Sequence, residues 1–258
     1  MAVLGAQLSS GRASARLELR EQRAKAGNLN ALVARLGLAA PTDAGEILTI
    51  RALWRSMQRH RAHQPVAESE VPLLITDGWA CHRRRIGLTT HYFLFLLPGD
   101  FILPSRLHAN GASELVALTP LETVDATPLT LLEEDGSACA PKARRLIAET
   151  RSHCDALILD HLFRVTACDA RGGLAHMLLE LLERLNATGR CVGGRFPLPV
   201  GQRPIGKAMG LSTLHVHKTL NNLRRDGLVD FGRGWMEIAQ PERLERLAQP
   251  SARQARAG

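Results

Sequence analysis

The 258-residue chain is 45 % hydrophobic and 22 % charged, long enough for two domains with real cores, and carries a formal net charge of +8. It has no run of eighteen apolar residues, which argues against a helical membrane span, and its first residues lack the apolar core of a secretory signal, so a cytoplasmic location is expected. Five scattered cysteines (Cys81, Cys139, Cys154, Cys168, Cys191) form no Cys-x-x-Cys pair, which argues against a disulfide framework or a standard zinc module.

Residues 1–28, rich in Ala, Ser, Gly, Arg and Glu, are expected to form a disordered or transiently helical basic tail, with Arg12, Arg16, Arg20 and Arg23 at near-helical spacing. Residues 29–36 and 44–62 read as short helices or helix plus strand. From about Glu70 to Leu132 the signals turn to strands. Trp79 to Ile86, His91 to Leu97, Leu115 to Thr119 and Thr123 to Thr127 are short runs separated by Gly87, Pro98-Gly99-Asp100, Asn110-Gly111 and Pro120. Strands at this spacing suggest a small antiparallel barrel or roll, a common container for a small ligand.

A linker over Glu133 to Pro141 leads into a long helix. Ile147, Cys154, His161 and Cys168 repeat every seven residues, with Ile158 and Val165 four positions after two of them. This is the seam of a helix that pairs with its twin, so a homodimer is expected through these six residues. One metal ion cannot bridge Cys154, His161 and Cys168 within one helix, because seven residues span about 10.5 Å. Asp169 to Gly172 interrupts the helix, and Leu174 to Leu185 resumes it.

Residues 202–238 have the pattern of a winged helix-turn-helix. A first helix over Gln202 to Met209 stops at Gly210, and Ser212 caps a second in which Val216, Leu220 and Leu223 fall at i, i+4 and i+7. The opposite face is Thr213, Leu214, His217, Lys218 and Asn221, the hydroxyl, imidazole, ammonium and amide groups that suit base edges and phosphates in a major groove. Arg224 and Arg225 follow at its far end. Leu228 to Phe231 and Trp235 to Ile238 read as the two strands of the wing, with Arg233 at its tip. From Arg195 onward eleven Lys and Arg stand against five Asp and Glu, so this quarter carries +6 of the charge. A basic footprint of this kind is expected of a phosphate binder.

The order of parts resembles the Crp/Fnr family of bacterial transcription regulators. The likeness rests on Leu96-Leu97-Pro98-Gly99-Asp100, on Ala175 to Leu185, on Met209-Gly210-Leu211-Ser212 with His215-Val216, and on Leu223 to Val229. It implies an α+β fold: an antiparallel β-roll like a cyclic-nucleotide-binding domain, a dimerisation helix and a winged helix-turn-helix. The corresponding boundaries are 1–28 for the tail, 29–140 for the roll, 141–168 for the helix and 169–258 for the DNA-binding domain. It also implies a homodimer on an inverted repeat in double-stranded DNA, with recognition helices about 34 Å apart. The implied base readers are Thr213, Leu214 and Lys218, with Ser212 and His215 on the phosphate side. Gln202, Arg203, His217, Asn221, Arg225 and Arg233 complete the expected DNA-binding set.

Several residues depart from the family pattern. Family members often place Glu at 214 and Arg at 218; Leu214 cannot accept a hydrogen bond and Lys218 is a point donor, so the usual half-site is not expected. Pro204 and Gly206 are not good helix formers. After Pro98-Gly99-Asp100 the chain reads Phe101 to Arg106 without the Gly-Glu and Arg-Ser pairs of cyclic-nucleotide binders, so cyclic AMP is not expected. Residues 1–80 contain no cysteine, so neither is an iron–sulfur cluster, and no cofactor or resident metal is expected. Cys81, His82 and His91 carry metal-ligating groups, but without diagnostic spacing.

The resulting expectation is a non-enzymatic transcription regulator, with RNA polymerase and an unidentified small-molecule effector as further candidate partners. The alternative is a roll-based small-molecule or metal binder, or an enzyme, with an accessory basic helical domain. No His-x-His in the roll, Gly-x-Ser-x-Gly motif or phosphate-cradling loop supports it.

Overall fold

The computed structural model describes residues 52–53, 55–66, 71–102, 113–134 and 140–249. The N-terminal tail, residues 29–36, Arg106 and Asn110-Gly111 lie outside them. Eight strands form the N-terminal part: β1 (Met57–His60), β2 (Pro65–Val66), β3 (Leu73–Asp77), β4 (Ala80–Ile86), β5 (Thr89–Leu96), β6 (Phe101–Ile102), β7 (Glu114–Ala117) and β8 (Leu121–Asp125). They pair antiparallel into two four-stranded sheets, β1-β8-β3-β6 and β2-β7-β4-β5. Leu73, Ile75, Leu96, Ile102, Leu115 and Leu121 fill the space between them. The expected β4, β5, β7 and β8 are present with ends shifted by one to two residues. β1 falls in the 44–62 stretch that reads as short helices or helix plus strand, whereas β2, β3 and β6 lie outside the expected strands. In β3 four successive residues are buried, so it lacks the inside–outside alternation that marks a half-exposed strand.

Helix α1 (Thr127–Glu134) leads to the long α2 (Ala140–Thr166), and α3 (Ala170–Ala187) follows. The break is fixed locally: the Asp169 side chain accepts the Gly172 N–H at 2.7 Å and caps α3. The expected seam along α2 needs correction. Ile147 is 1 % exposed and packs with Leu53, Phe101, Val124 and Leu129 of its own chain, so it is unavailable to a partner. Cys154 lies beside Asp100 and Arg184, His161 packs against the Phe93 ring, and Cys168 Sγ lies 3.8 Å from the Ala248 carbonyl oxygen. The face left open is Ile158, Leu159, Leu162 and Val165, between 38 % and 65 % exposed. Of the six expected residues, Ile158 and Val165 stand on this open face; Leu159 and Leu162 lie outside the heptad pattern.

The C-terminal part contains α4 (Gln202–Met209), α5 (Thr213–Arg225), the strands β9 (Arg195–Pro197), β10 (Val229–Gly232) and β11 (Trp235–Ile238), and α6 (Pro241–Ala248). β9 pairs with β11 and makes the wing three-stranded. α6 was not anticipated; its Leu244 and Ala248 join the core of α3, α4 and α5. Trp79, Cys81, Phe95 and Leu97 of the roll belong to the same continuous apolar cluster, so roll and helical domain share a core.

Gly206, a poor helix former by propensity, has a steric reason. A Cβ there would stand 2.6 Å from the Leu211 carbonyl oxygen and 3.5 Å from Val216 Cγ2, where α4 meets the turn and α5. Gly206→Ala gains about 1 kcal/mol of helix propensity, yet must push backbone apart. We expect a net loss of stability of about 1–3 kcal/mol, read as a lower Tm; an unchanged or raised Tm would show that the two helices separate at no cost.

Candidate nucleic-acid interface

The turn between α4 and α5 is built as its residues require. Gly210 closes α4 in the left-handed conformation, with φ 67°, and its N–H bonds the Gly206 carbonyl. Ser212 Oγ accepts the His215 N–H at 3.1 Å, capping α5. Pro204 sits in the first turn of α4, where its missing N–H would be unpaired in any case. Val216, Leu220 and Leu223 are buried. Thr213, Leu214, His215, His217 and Lys218 therefore project outward on one exposed surface, with Leu214 62 % exposed. No acidic residue occupies the first turn of α5, so its positive end is open to an anion.

Hydrogen bonds divide these residues into two sets. His217 Nε2 lies 2.9 Å from Asn221 Nδ2, His217 Nδ1 lies 3.3 Å from Gln202 Nε2, and Asn221 Oδ1 accepts from Arg224 at 2.7 Å. A neutral imidazole has one donor and one acceptor nitrogen, so Gln202 turned to present its oxygen makes every link consistent. Gln202, His217, Asn221 and Arg224 thus form a chain that ties α4 to α5 and braces the surface. Sequence reasoning assigned His217 to DNA without seeing this internal use. Arg203, Thr213, Leu214, His215, Lys218 and Arg225 stand outside that chain.

The wing is braced as well. The Arg224 guanidinium lies 4.5 Å from the Phe231 ring centroid and that of Arg195 lies 3.7 Å from the Trp235 centroid, both cation–π contacts. Arg233 is exposed at the turn between β10 and β11. Arg171 at the start of α3 pairs with Asp226 at the end of α5. The acid at the end of α5 is thereby paired.

A buried ionic cluster joins this domain to the roll. Arg184 of α3, its side chain 8 % exposed, pairs with Asp100 of the Pro98-Gly99-Asp100 turn, donates to the Phe95 carbonyl at 2.8 Å and to Glu180 at 2.6 Å. Glu180 also pairs with Arg164 of α2. Burial opposes ionisation of Glu180, but Arg184 and Arg164 outweigh it and hold its pKa below the ordinary value. Burial, reinforced by Arg164, lowers the pKa of both His161 and His176, so each is kept neutral in the fold.

With folded-state pKa values below the unfolded ones, the unfolded chain takes up protons first as pH falls. Stability should therefore begin to drop below the ordinary histidine value of 6.5, with Glu180 adding a further loss below 4.5. Thermal melts at matched ionic strength should show a falling Tm between about pH 6.5 and 5, and the His161→Gln/His176→Gln variant a flatter profile there. A wild-type Tm unchanged over that interval would remove the two histidines from the stability balance.

Among the described residues no group of three or more His, Cys, Asp or Glu is placed to hold a metal ion. Cys81 is fully buried, and that burial pushes its thiol up to about 12. His82 stacks on Phe93 with centroids 5.7 Å apart. His91 lies one strand away, paired in register with Arg84. No helix among the described residues is long and apolar enough to cross a membrane.

Residues 174–247 match the Crp-like helix-turn-helix domain. The chain is 29 % identical over 157 residues to the nitrogen fixation regulation protein FixK of Bradyrhizobium diazoefficiens, covering 60 % of this chain and 63 % of that relative. It thus spans less than two thirds of the relative's length. FixK2 from Bradyrhizobium japonicum superposes with a TM-score of 0.61 at 21 % identity, covering 76 % of this chain and 98 % of that one. A CooA mutant from Carboxydothermus hydrogenoformans gives 0.58 at 15 % identity, covering 75 % and 87 %. A transcriptional regulator of the CRP/FNR family from Thermus thermophilus gives 0.52 at 16 %, covering 74 % and 97 %. At these identities the likeness establishes the fold: antiparallel roll, long helix and helix-turn-helix.

Proposed function

We propose, for a chain that belongs with the Crp/Fnr regulators by its Crp-like helix-turn-helix domain and its fold, that it is a sequence-specific, homodimeric DNA-binding transcription regulator. The observation that carries this reading is the exposed face of α5 beside an unopposed helix N-terminus, in a domain of net charge +6 from Arg195 onward. Thr213, Leu214 and Lys218 are the base readers. Ser212 and His215 lie on the phosphate side, and Arg203, Arg225 and Arg233 are placed for backbone phosphates. Gln202, His217 and Asn221 act mainly by holding α4 and α5 in register.

The dimer forms through Ile158, Leu159, Leu162 and Val165 of paired α2 helices, which sets two recognition helices about 34 Å apart on an inverted repeat. RNA polymerase is the natural partner of a regulator bound at a promoter. Location in the cytoplasm accords with this role.

Selection of bound duplexes from a random library should return an inverted repeat, and affinity for it should fall steeply with salt because cations on the protein release counterions from DNA. Lys218→Ala should cost roughly 1–3 kcal/mol on the best site and relax preference at one base-pair position in each half-site. Unchanged affinity and preference in that variant would take Lys218 out of the readout. Binding without enrichment of any repeat would overturn the sequence-specific reading.

A further inference from the structure

Among the described residues of α4 and α5, Leu214 is the one large aliphatic side chain left exposed, at 62 %. It belongs to none of the subunit's core clusters. It is the second residue of α5, whose start is fixed by the Ser212 cap. Side chains on a helix lean toward its N-terminus, so the isobutyl group stands at the leading end of α5. Thr213, His215 and Lys218 around it are exposed and polar. An apolar group is thus set into the part of a recognition helix that meets base edges.

Its chemistry restricts what it can meet there. The major-groove edges of guanine, adenine and cytosine present hydrogen-bonding atoms, and leucine, with no donor or acceptor, strips water from them without replacing it. The methyl group on C5 of thymine is the apolar feature of that groove. Contact between it and Leu214 removes apolar surface from water on both sides. Lys218 follows four residues later, about 6 Å along the helix axis. A base pair read by Lys218 therefore lies within about two steps of the one that Leu214 meets.

We infer that Leu214 reads the 5-methyl group of a pyrimidine at one position in each half-site, carried there by thymine or by 5-methylcytosine, and that unmethylated cytosine does not serve. This rests on the reading of the chain as a sequence-specific DNA binder and adds the chemical feature that is selected. It also makes binding to an operator with cytosine at that position depend on methylation of that cytosine.

The test is equilibrium binding of the full chain to its best selected repeat and to copies in which each thymine in turn, in both half-sites together, is replaced by uracil. Uracil keeps every hydrogen-bonding atom and loses only the methyl. One position should be sensitive, with affinity falling about tenfold when both half-sites lack the methyl, the loss expected for two buried methyl contacts. At that position 5-methylcytosine should bind about tenfold tighter than cytosine. The higher of the thymine and 5-methylcytosine affinities identifies which base carries the methyl group that Leu214 selects. Leu214→Ala should bind the methylated and unmethylated repeats equally, and Thr213→Ser, which removes the neighbouring methyl, should keep the difference. A wild-type protein indifferent to the methyl at every position, or a methyl effect undiminished in Leu214→Ala, would overturn the inference and leave the DNA-binding reading standing. Failure to bind any repeat would overturn both. The uracil series is read on the wild-type chain and needs no variant to fold.

Discussion

Replacing Ile158 and Val165 together with aspartate should convert the protein into a monomer and lower its affinity for an inverted repeat by about 10²-fold or more, because two linked half-site contacts become one. The stripe from Ile158 to Val165 leaves four large aliphatic side chains in water on one helix. Covering the exposed half of each against a twin helix is worth about 1 kcal/mol, and symmetry doubles every contact. A charged pair at these positions reverses that gain and adds repulsion. The fold of the subunit should survive, since these side chains lie outside its core clusters. Ile147→Asp serves as the contrast: that side chain lies inside the subunit, so its variant should unfold. Light scattering and circular dichroism separate the two results. A folded, dimeric Ile158→Asp/Val165→Asp protein would move the interface elsewhere.

Arg184→Met should destabilise the protein by about 3–5 kcal/mol, the usual loss when one partner of a buried ion pair is removed. The methionine fills most of the volume, so the effect reports charge. Asp100 and Glu180, both largely buried, lose their shared cation, and the Phe95 carbonyl loses its donor. Arg190, bonded to Asp77 at 3.2 Å, is the other polar tie described between the end of α3 and the roll, and is more exposed. The variant should therefore melt with the roll and the helical domain separating first. Hydrogen exchange should show the amides of α3 and β5 losing protection ahead of β3 and β8. A Tm within a degree or two of the wild type would show that Asp100 and Glu180 find other partners.

Much of the helical domain was legible in the chain because its determinants are local. Gly210, Ser212 and the Val216-Leu220-Leu223 stripe each act within a turn or two, and each has the anticipated role in the structure. Part of the roll was not legible. β3 pairs with β8 across more than forty residues and is buried on both faces, so neither a local turn nor an alternating pattern announces it. α6 is short, and what fixes it is Leu244 and Ala248 meeting α3, a contact distant in sequence.

By itself the sequence determined the helix-turn-helix, its caps and the outward face of α5, since backbone geometry and helical period decide these residue by residue. It also determined that α2 carries an apolar stripe. Only the tertiary structure decided which edge of that stripe stays open, that His217 is spent on Gln202 and Asn221, and that Arg184 locks onto Asp100. Each of those outcomes depends on which element packs against which. A side chain's worth is set there by its neighbours and by the loss of water around it, neither of which is written in its position along the chain.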